Sequence, residues 1–259
     1  MSNVLFEVRD GVGRVTLNRP ASMNAVDGET EQELLRIWAA IEADRGVRIV
    51  VLTGAGDRAF CAGSDMKHSA HKTGLEYWAA PRPGGFGGIA LRQTLDVPVL
   101  ARVNGFALGG GFEMVLGCDI VVACDDATFG LPEARVGRLP LDGGMTLLQR
   151  QIAFRPAMGI LLTGRRVPAR EALALGIVNE VVPRSDLDST VDRWVQDVLA
   201  CAPLSVRAIK QVVRRAAHLS ASEAQAQRLP ALIEALESED SQEGVLAFRE
   251  KRAPVWKGR

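Results

Sequence analysis

Residues 104–120 read NGFALGGGFEMVLGCDI. The apolar run VPVLARV (97–103) precedes them, and three successive glycines, 109–111, lead into an apolar segment carrying one acid, Glu113. A run of that kind is expected as a strand buried on both faces. The glycines let the backbone adopt positive φ and approach a ligand closely. A helix starting near Gly110 points its unpaired N–H groups, and the positive end of its dipole, back at the turn. Such a turn suits an anion, either a phosphate or an oxyanion that develops during a reaction.

A second stretch repeats the design. FCAGSDMK (60–67) follows RIVVLT (48–53) and the turn Gly54-Ala55-Gly56. A phosphate reading of the two turns is poor, because no GxGxxG follows the first strand and no GxxxxGK[ST] occurs. The oxyanion reading fits better, since acid–base groups lie close in sequence: Glu113 in the first turn of the helix, and Glu133 after Pro132 on a short turn following Phe129. Taken singly, a glycine triplet is a packing device, and a glutamate is favourable in any first helical turn.

Further out, Val4, Phe6 and Val8 alternate with polar residues, Asp10-Gly11 turns, and Val15 and Leu17 resume, which predicts a hairpin. Asp27 is placed to cap a helix with Leu34, Trp38 and Ile41 on one face. DIVVA (119–123) is a third buried strand, and APRPGGFGG (80–88) is expected to be a mobile loop. From about residue 187 the pattern turns helical. Leu187, Val191, Trp194, Val195 and Val198 share one face, as do Leu229, Leu232, Ile233 and Leu236. The division is an α/β core over 1–185 and a helical segment over 186–259.

Composition excludes several classes. Of 259 residues 47% are hydrophobic, enough for one sizeable core. Lys+Arg and Asp+Glu both number 31, so bulk charge gives no reason to bind nucleic acid or an anionic membrane. No apolar run approaches the roughly 20 residues of a membrane span. Cys61, Cys118, Cys124 and Cys201 form no CxxC pair and read as buried thiols in a reducing compartment. With no signal-like N-terminus, the expected location is the cytoplasm.

Over essentially its whole length the chain resembles the crotonase superfamily, the enoyl-CoA hydratase/isomerase family. The resemblance rests on NRPASMNAV (18–26), LTGAGDRAFCAGSDMK (52–67), VNGFALGGGFEMVLGCDI (103–120), FGLPEARVGRLPLDGG (129–144), TGRRVPAREALALGIVNEVVP (163–183) and AFREKR (247–252), in one order and spacing. It implies an α/β spiral of ββα units forming two sheets, with C-terminal helices that build a homotrimer or a dimer of trimers. It implies an acyl-coenzyme A thioester as substrate and no cofactor beyond it. An oxyanion hole would use the backbone N–H groups of Ser64 and Gly110. Coenzyme A would pack by Ala62, Ser64, Asp65, Met66, Lys67 and Gly110.

Both catalytic glutamates of the family's hydratases are matched, by Glu113 and Glu133. Isomerases commonly keep only the second, so hydration of a 2-enoyl thioester is favoured over double-bond migration. The expected roles are proton transfer at the α-carbon for Glu133 and water activation for Glu113. PRPGGFGGI (81–89), LPEARVG (131–137) and the tail FREKRAPVWKGR (248–259) further resemble carnitinyl-CoA dehydratases. LPLDGG (139–144) departs from them by moving the acidic residue one place. The alternatives are an isomerase, another acyl-CoA enolate enzyme, or a non-catalytic RNA- or CoA-binding homologue, the RNA case weakened by neutral charge.

Other candidates carry less. His68 and His71 have helical spacing for a metal but no third ligand, so no metal site is expected. Ser64 lacks the G-x-S-x-G setting of a hydrolase nucleophile. Arg138 and His218 are expected to face solvent, and Asp65 to order its loop.

Overall fold

The structure is a computed structural model and describes residues 2–66 and 73–259. The hairpin forms as its sequence predicts. β1 (Val4–Arg9) pairs antiparallel with β2 (Val12–Leu17), and Asp10 and Gly11 both take left-handed φ, 50° and 79°. That is the conformation whose twist matches the strands it joins. β3 (Ile49–Gly54), β5 (Val99–Val103), β7 (Ile120–Cys124) and β10 (Glu180–Val182) extend the hairpin into a six-stranded sheet of order β1-β2-β3-β5-β7-β10. Every pairing from β2 to β10 is parallel.

A second, four-stranded sheet is made of very short strands: β4 (Ala59–Cys61), β6 (Phe106–Leu108), β8 (Thr128–Gly130) and β9 (Val167–Pro168), in that order. β4, β6 and β8 run parallel, so the turns that follow them emerge side by side at one edge. Those turns hold Ser64, Gly110 and Glu133. Phe60, Phe112 and Phe129 are fully buried in this region, the last two with ring centroids 5.5 Å apart in a tilted arrangement.

Eleven helices among the described residues surround the sheets. α1 (Gly28–Ala43) is capped by Asp27, whose side chain accepts from the Thr30 amide at 2.9 Å, and it buries Leu34, Trp38 and Ile41. α2 (Gly74–Ala79) precedes α3 (Gly110–Leu116), which packs on β4 and β6 of the smaller sheet, and α4 (Gly144–Gln151), α5 (Phe154–Thr163) and α6 (Ala169–Ala174) follow. The C-terminal segment supplies α7 (Leu187–Leu199), α8 (Pro203–Arg215), α9 (Ala221–Ala226), α10 (Pro230–Glu237) and α11 (Glu239–Glu250). α7 packs Leu187, Val191 and Val195 into the main core. α8 is pinned at Asp119, which pairs with Lys210 at 2.8 Å and Arg214 at 2.7 Å while accepting the Val99 amide.

Three expectations are corrected. Of residues 80–88, expected as a mobile loop, 84–88 form with 89 and 90 a buried turn whose left-handed Gly85, Gly87 and Gly88 let it pass close to α1 and α3; the indole of Trp38 donates to the Gly87 carbonyl at 2.8 Å. Glycine there serves close approach rather than mobility. On α10 the buried face is Ala231 and Ala235, against Leu204 and Ala208 of α8, and Ile233 and Leu236 point outward, because only small residues fit between two helices this close. Cys201 is exposed, whereas Cys61, Cys118 and Cys124 are buried, and all four are free.

The fit between the two glycine turns is tight enough to test. A methyl group on Gly111 would lie 2.1 Å from the Cys61 carbonyl oxygen, a backbone atom held in β4. We expect Gly111→Ala to lower unfolding free energy by about 3 kcal/mol, by overpacking against backbone, read as a lowered urea midpoint; an unchanged midpoint would mean the turns are not in contact.

Candidate active site

Each half of the site comes from one turn beyond a short strand. After β4, Gly63 takes φ 92°, and Val26 and Ser64 form an isolated parallel bridge in which the Val26 amide donates to the Gly63 carbonyl and the Asp65 amide to the Val26 carbonyl. This uses the Gly63 carbonyl and the Asp65 amide, on either side of residue 64, and leaves the Ser64 N–H without a hydrogen bond among the described residues. After β6, Gly109 takes φ 56°, donates to the Gly130 carbonyl at 2.9 Å, and opens α3. The Gly110 N–H likewise makes no hydrogen bond among the described residues.

The two turns touch. A methyl on Gly63 would sit 2.9 Å from the Leu108 carbonyl oxygen and 3.2 Å from the Gly110 nitrogen. A methyl on Gly110 would sit 2.5 Å from the Phe86 ring, so the buried 84–90 turn closes the site from one side. Glycine is required at both places by contact.

Glu113 is 3% exposed. Its Oε1 accepts the backbone N–H groups of Asp142 at 2.9 Å and Gly144 at 2.8 Å, so the 140–144 loop fixes its carboxyl. Burial pushes its pKa from 4.5 up to about 8, with the charges of Asp142 and Glu133 adding to the rise and the two amides opposing it. Glu133 stands in a short 3-10 turn, Pro132–Val136. Burial raises its carboxyl above the ordinary value as well, and its Oε2 is buried with no hydrogen bond among the described residues. Glu133 Oε1 lies 3.0 Å from where a methyl on Gly109 would be, against the turn that opens α3, and its charge is close enough to Glu113 to add to that acid's rise.

The remaining site candidates fall as follows. Ala62 is half-buried and its amide donates to the Met23 carbonyl at 3.0 Å; Ser64 and Met66 are exposed, Met66 at 61%. Asp65 is buried and pairs at 2.8 Å with Arg19, which also binds Asp27 at 2.9 Å, tying the first turn to the cap of α1. Lys67, His68 and His71 lie outside the described residues. Arg138 and His218 are exposed. Among the described residues no three His, Cys, Asp or Glu side chains cluster as metal ligands. Two participants were missed from sequence, Arg19 and Tyr77. The hydroxyl of Tyr77 donates to the buried Asp142 carboxylate. No spacing signal links residues 77 and 142.

Two free main-chain amides beside the buried carboxyl of Glu113 and the half-buried one of Glu133 form a site that can hold a developing oxyanion and move protons on the adjacent atoms. The chain belongs to the enoyl-CoA hydratase/isomerase family, whose sequence profile matches residues 7–259. It is 39% identical over 264 aligned positions to the carnitinyl-CoA dehydratase of Escherichia coli K12, covering all of both chains. To that of Proteus mirabilis HI4320 it is 38% identical, over 97% of each. Among solved structures, an enoyl-CoA hydratase from Bacillus anthracis superposes with a TM-score of 0.92 at 32% identity, covering 99% of this chain and 100% of that one. One from Mycobacterium tuberculosis H37Rv gives 0.90 at 33% identity with both chains fully covered. The fold is therefore the crotonase fold expected from the sequence.

The raised Glu113 pKa has a stability consequence. Between about pH 4.5 and about 8 the unfolded chain ionises this carboxyl while the folded chain keeps it protonated, so folding loses stability as pH rises through that window. Glu113→Gln keeps an acceptor for the amides of residues 142 and 144 and removes the proton. We expect the variant to gain on wild type by up to the order of 5 kcal/mol from about pH 5 to about pH 8.5, seen as diverging urea midpoints. Parallel midpoints across that range would show an ordinary pKa for Glu113.

Proposed function

We propose that this chain is a hydro-lyase that adds water reversibly to a 2-enoyl-CoA thioester, with Glu113 and Glu133 as its acid–base pair. The unused amides of Ser64 and Gly110 in adjoining turns are the observation that carries this reading. The thioester oxygen lies between them. Glu113, in the ionised form that its pKa of about 8 makes the minor one below that pH, takes a proton from water, and the hydroxyl adds to the β-carbon. The double-bond electrons move to the thioester oxygen, held as an oxyanion by the two amides. Glu133 then gives its proton to the α-carbon as the thioester carbonyl re-forms. The pair ends with its proton moved from one carboxyl to the other, and solvent exchange resets it. The proton and electron inventory closes with no further cofactor.

Chemistry requires one acid to start ionised and the other protonated. Burial and the neighbouring charges oppose ionisation of Glu113 up to about pH 8, so activity is expected to rise with pH toward that value, while burial holds Glu133 above the ordinary carboxylate range and favours its protonated form. Losing one oxyanion donor in sites of this type costs about 3–4 kcal/mol in the barrier. The coenzyme A moiety would lie along the first turn, over Ala62, Ser64, Asp65, Met66 and Lys67.

Identity to carnitinyl-CoA dehydratases supports crotonobetainyl-CoA as one acyl group to offer. We read 1–185 as the catalytic unit and 186–259 as the segment that assembles a homotrimer or dimer of trimers. The uncovered Ile209 and Val213 on α8 and Leu236 on α10, each more than 60% exposed, support such assembly. No helix among the described residues is long and apolar enough to cross a membrane, which fits a cytoplasmic enzyme.

Purified protein is expected to consume crotonyl-CoA, crotonobetainyl-CoA or both, followed as loss of the conjugated thioester absorbance. Glu133→Gln and Glu113→Gln should each lower kcat by about 100-fold or more. Full activity in either variant removes that residue from the mechanism; migration of a 3-enoyl double bond without hydration would replace the hydratase reading by an isomerase.

A further inference from the structure

Asp142 belongs to LPLDGG, where the acid stands one place away from its expected position. It is 6% exposed, and three groups meet at it. Its own amide donates to Glu113 Oε1 at 2.9 Å. Its carboxylate accepts the hydroxyl of Tyr77, on α2, the only tyrosine in the chain. Arg82 approaches the same carboxylate oxygen at 3.8 Å, stacks over the Tyr77 ring at 4.3 Å, and pairs with Glu31 on α1. The side chain of residue 142 is thus tied to α2 and α1 while its backbone holds the catalytic carboxyl. No residue of α2 is buried, so Tyr77 is its inward anchor.

We propose that Asp142, clamped by Tyr77 and Arg82, is a positioning residue that fixes the carboxyl of Glu113, making α2 part of the acid–base machinery. This rests on the role given to Glu113 above. Fixing is geometric first: the Asp142 amide is one of two donors on Glu113 Oε1, and its direction follows the side chain that Tyr77 and Arg82 hold. It is also electrostatic. The charged and titratable groups facing Glu113 are Asp142 and Glu133; those facing Asp142 are Glu113, Tyr77 and Arg82, with Glu31 behind Arg82. The charge of Asp142 disfavours ionisation of Glu113, and the Arg82 guanidinium and the Tyr77 O–H lie against its carboxylate. Burial and Asp142 together hold the Tyr77 phenol far above its ordinary pKa, so it remains a donor throughout the working range.

The experiment measures hydration of crotonyl-CoA against pH for wild type, Asp142→Asn, Tyr77→Phe and Glu113→Gln. Asp142→Asn keeps the amide and an acceptor for Tyr77 but loses the charge, so the acid limb of kcat/KM, where Glu113 must ionise, should move down by about one pH unit. Tyr77→Phe releases the clamp and should lower kcat about tenfold with KM changed less than about twofold. A residue of merely structural importance would lower the urea midpoint without moving the limb or splitting kcat from KM. An unmoved limb in Asp142→Asn together with unchanged kcat in Tyr77→Phe overturns the proposal. Should Asp142→Asn not fold, Tyr77→Phe decides alone, through its kcat and the position of its limb. Glu113→Gln separates the two readings: if it stays active the mechanism itself falls, whereas if it is inactive and the other two behave as wild type, only the positioning role falls.

Discussion

The parallel register of β4, β6 and β8 is the constraint on which the rest of this molecule depends. Each strand has three residues, and each ends in a turn that carries one part of the site. Parallel neighbours lie about 4.8 Å apart, so their C-terminal turns are placed side by side without further design. The contact is then tightened by glycine. Side chains at 63, 110 or 111 would collide with Leu108, Phe86 or Cys61, and the absence of side chains lets two backbones meet with their amides unused. An unpaired main-chain N–H is ordinarily costly when withdrawn from water. Here two of them, those of Ser64 and Gly110, stand at one contact, and in the proposed reaction a carbonyl oxygen gaining charge would accept from both.

The same site buries the Glu113 carboxyl and half-buries that of Glu133, which raises both above the ordinary carboxylate range. The energy for this comes from the rest of the fold. Phe112 and Phe129, fully buried, flank the elements bearing Glu113 and Glu133. Arg19 fastens the first turn to the α1 cap, and Lys210 and Arg214 fasten α8 to the start of β5 and β7 through Asp119. Charge pairs of this kind add little net stability, but breaking one is costly, so they specify geometry more than they strengthen it.

Much of the fold was legible in the sequence where the pattern is long. RIVVLT, VPVLARV and DIVVA read as buried strands, and β3, β5 and β7 follow them to within about two residues, the usual uncertainty of element ends. The four-stranded sheet was not readable from periodicity, because two or three residues carry no period. It entered only through family resemblance. The glutamates were found because acids beside glycine turns are chemically conspicuous. Tyr77 and Arg19 were not, since their partners are 65 and 46 residues away. APRPGG misled because glycine signals mobility and close packing with the same letters, and only Trp38, Met114 and Leu35 in three dimensions decide between them.

Residue 142 shows how one departure is absorbed. A buried acid beside Glu113 adds a negative charge to a place that already strains to ionise, and alone it would be excluded. Arg82 supplies the opposing charge, Tyr77 supplies a proton donor, and Glu31 holds Arg82 in place. Those three come from α1, from α2 and from the turn that begins with PRPGG, the segment whose glycines carry Phe86 onto Gly110. Phe86 against Gly110, and Asp142 against Glu113, are therefore linked through this one segment and its partners. The acid at 142 is thus met by a cation and a hydroxyl donor within its reach, each supplied by a different part of the chain.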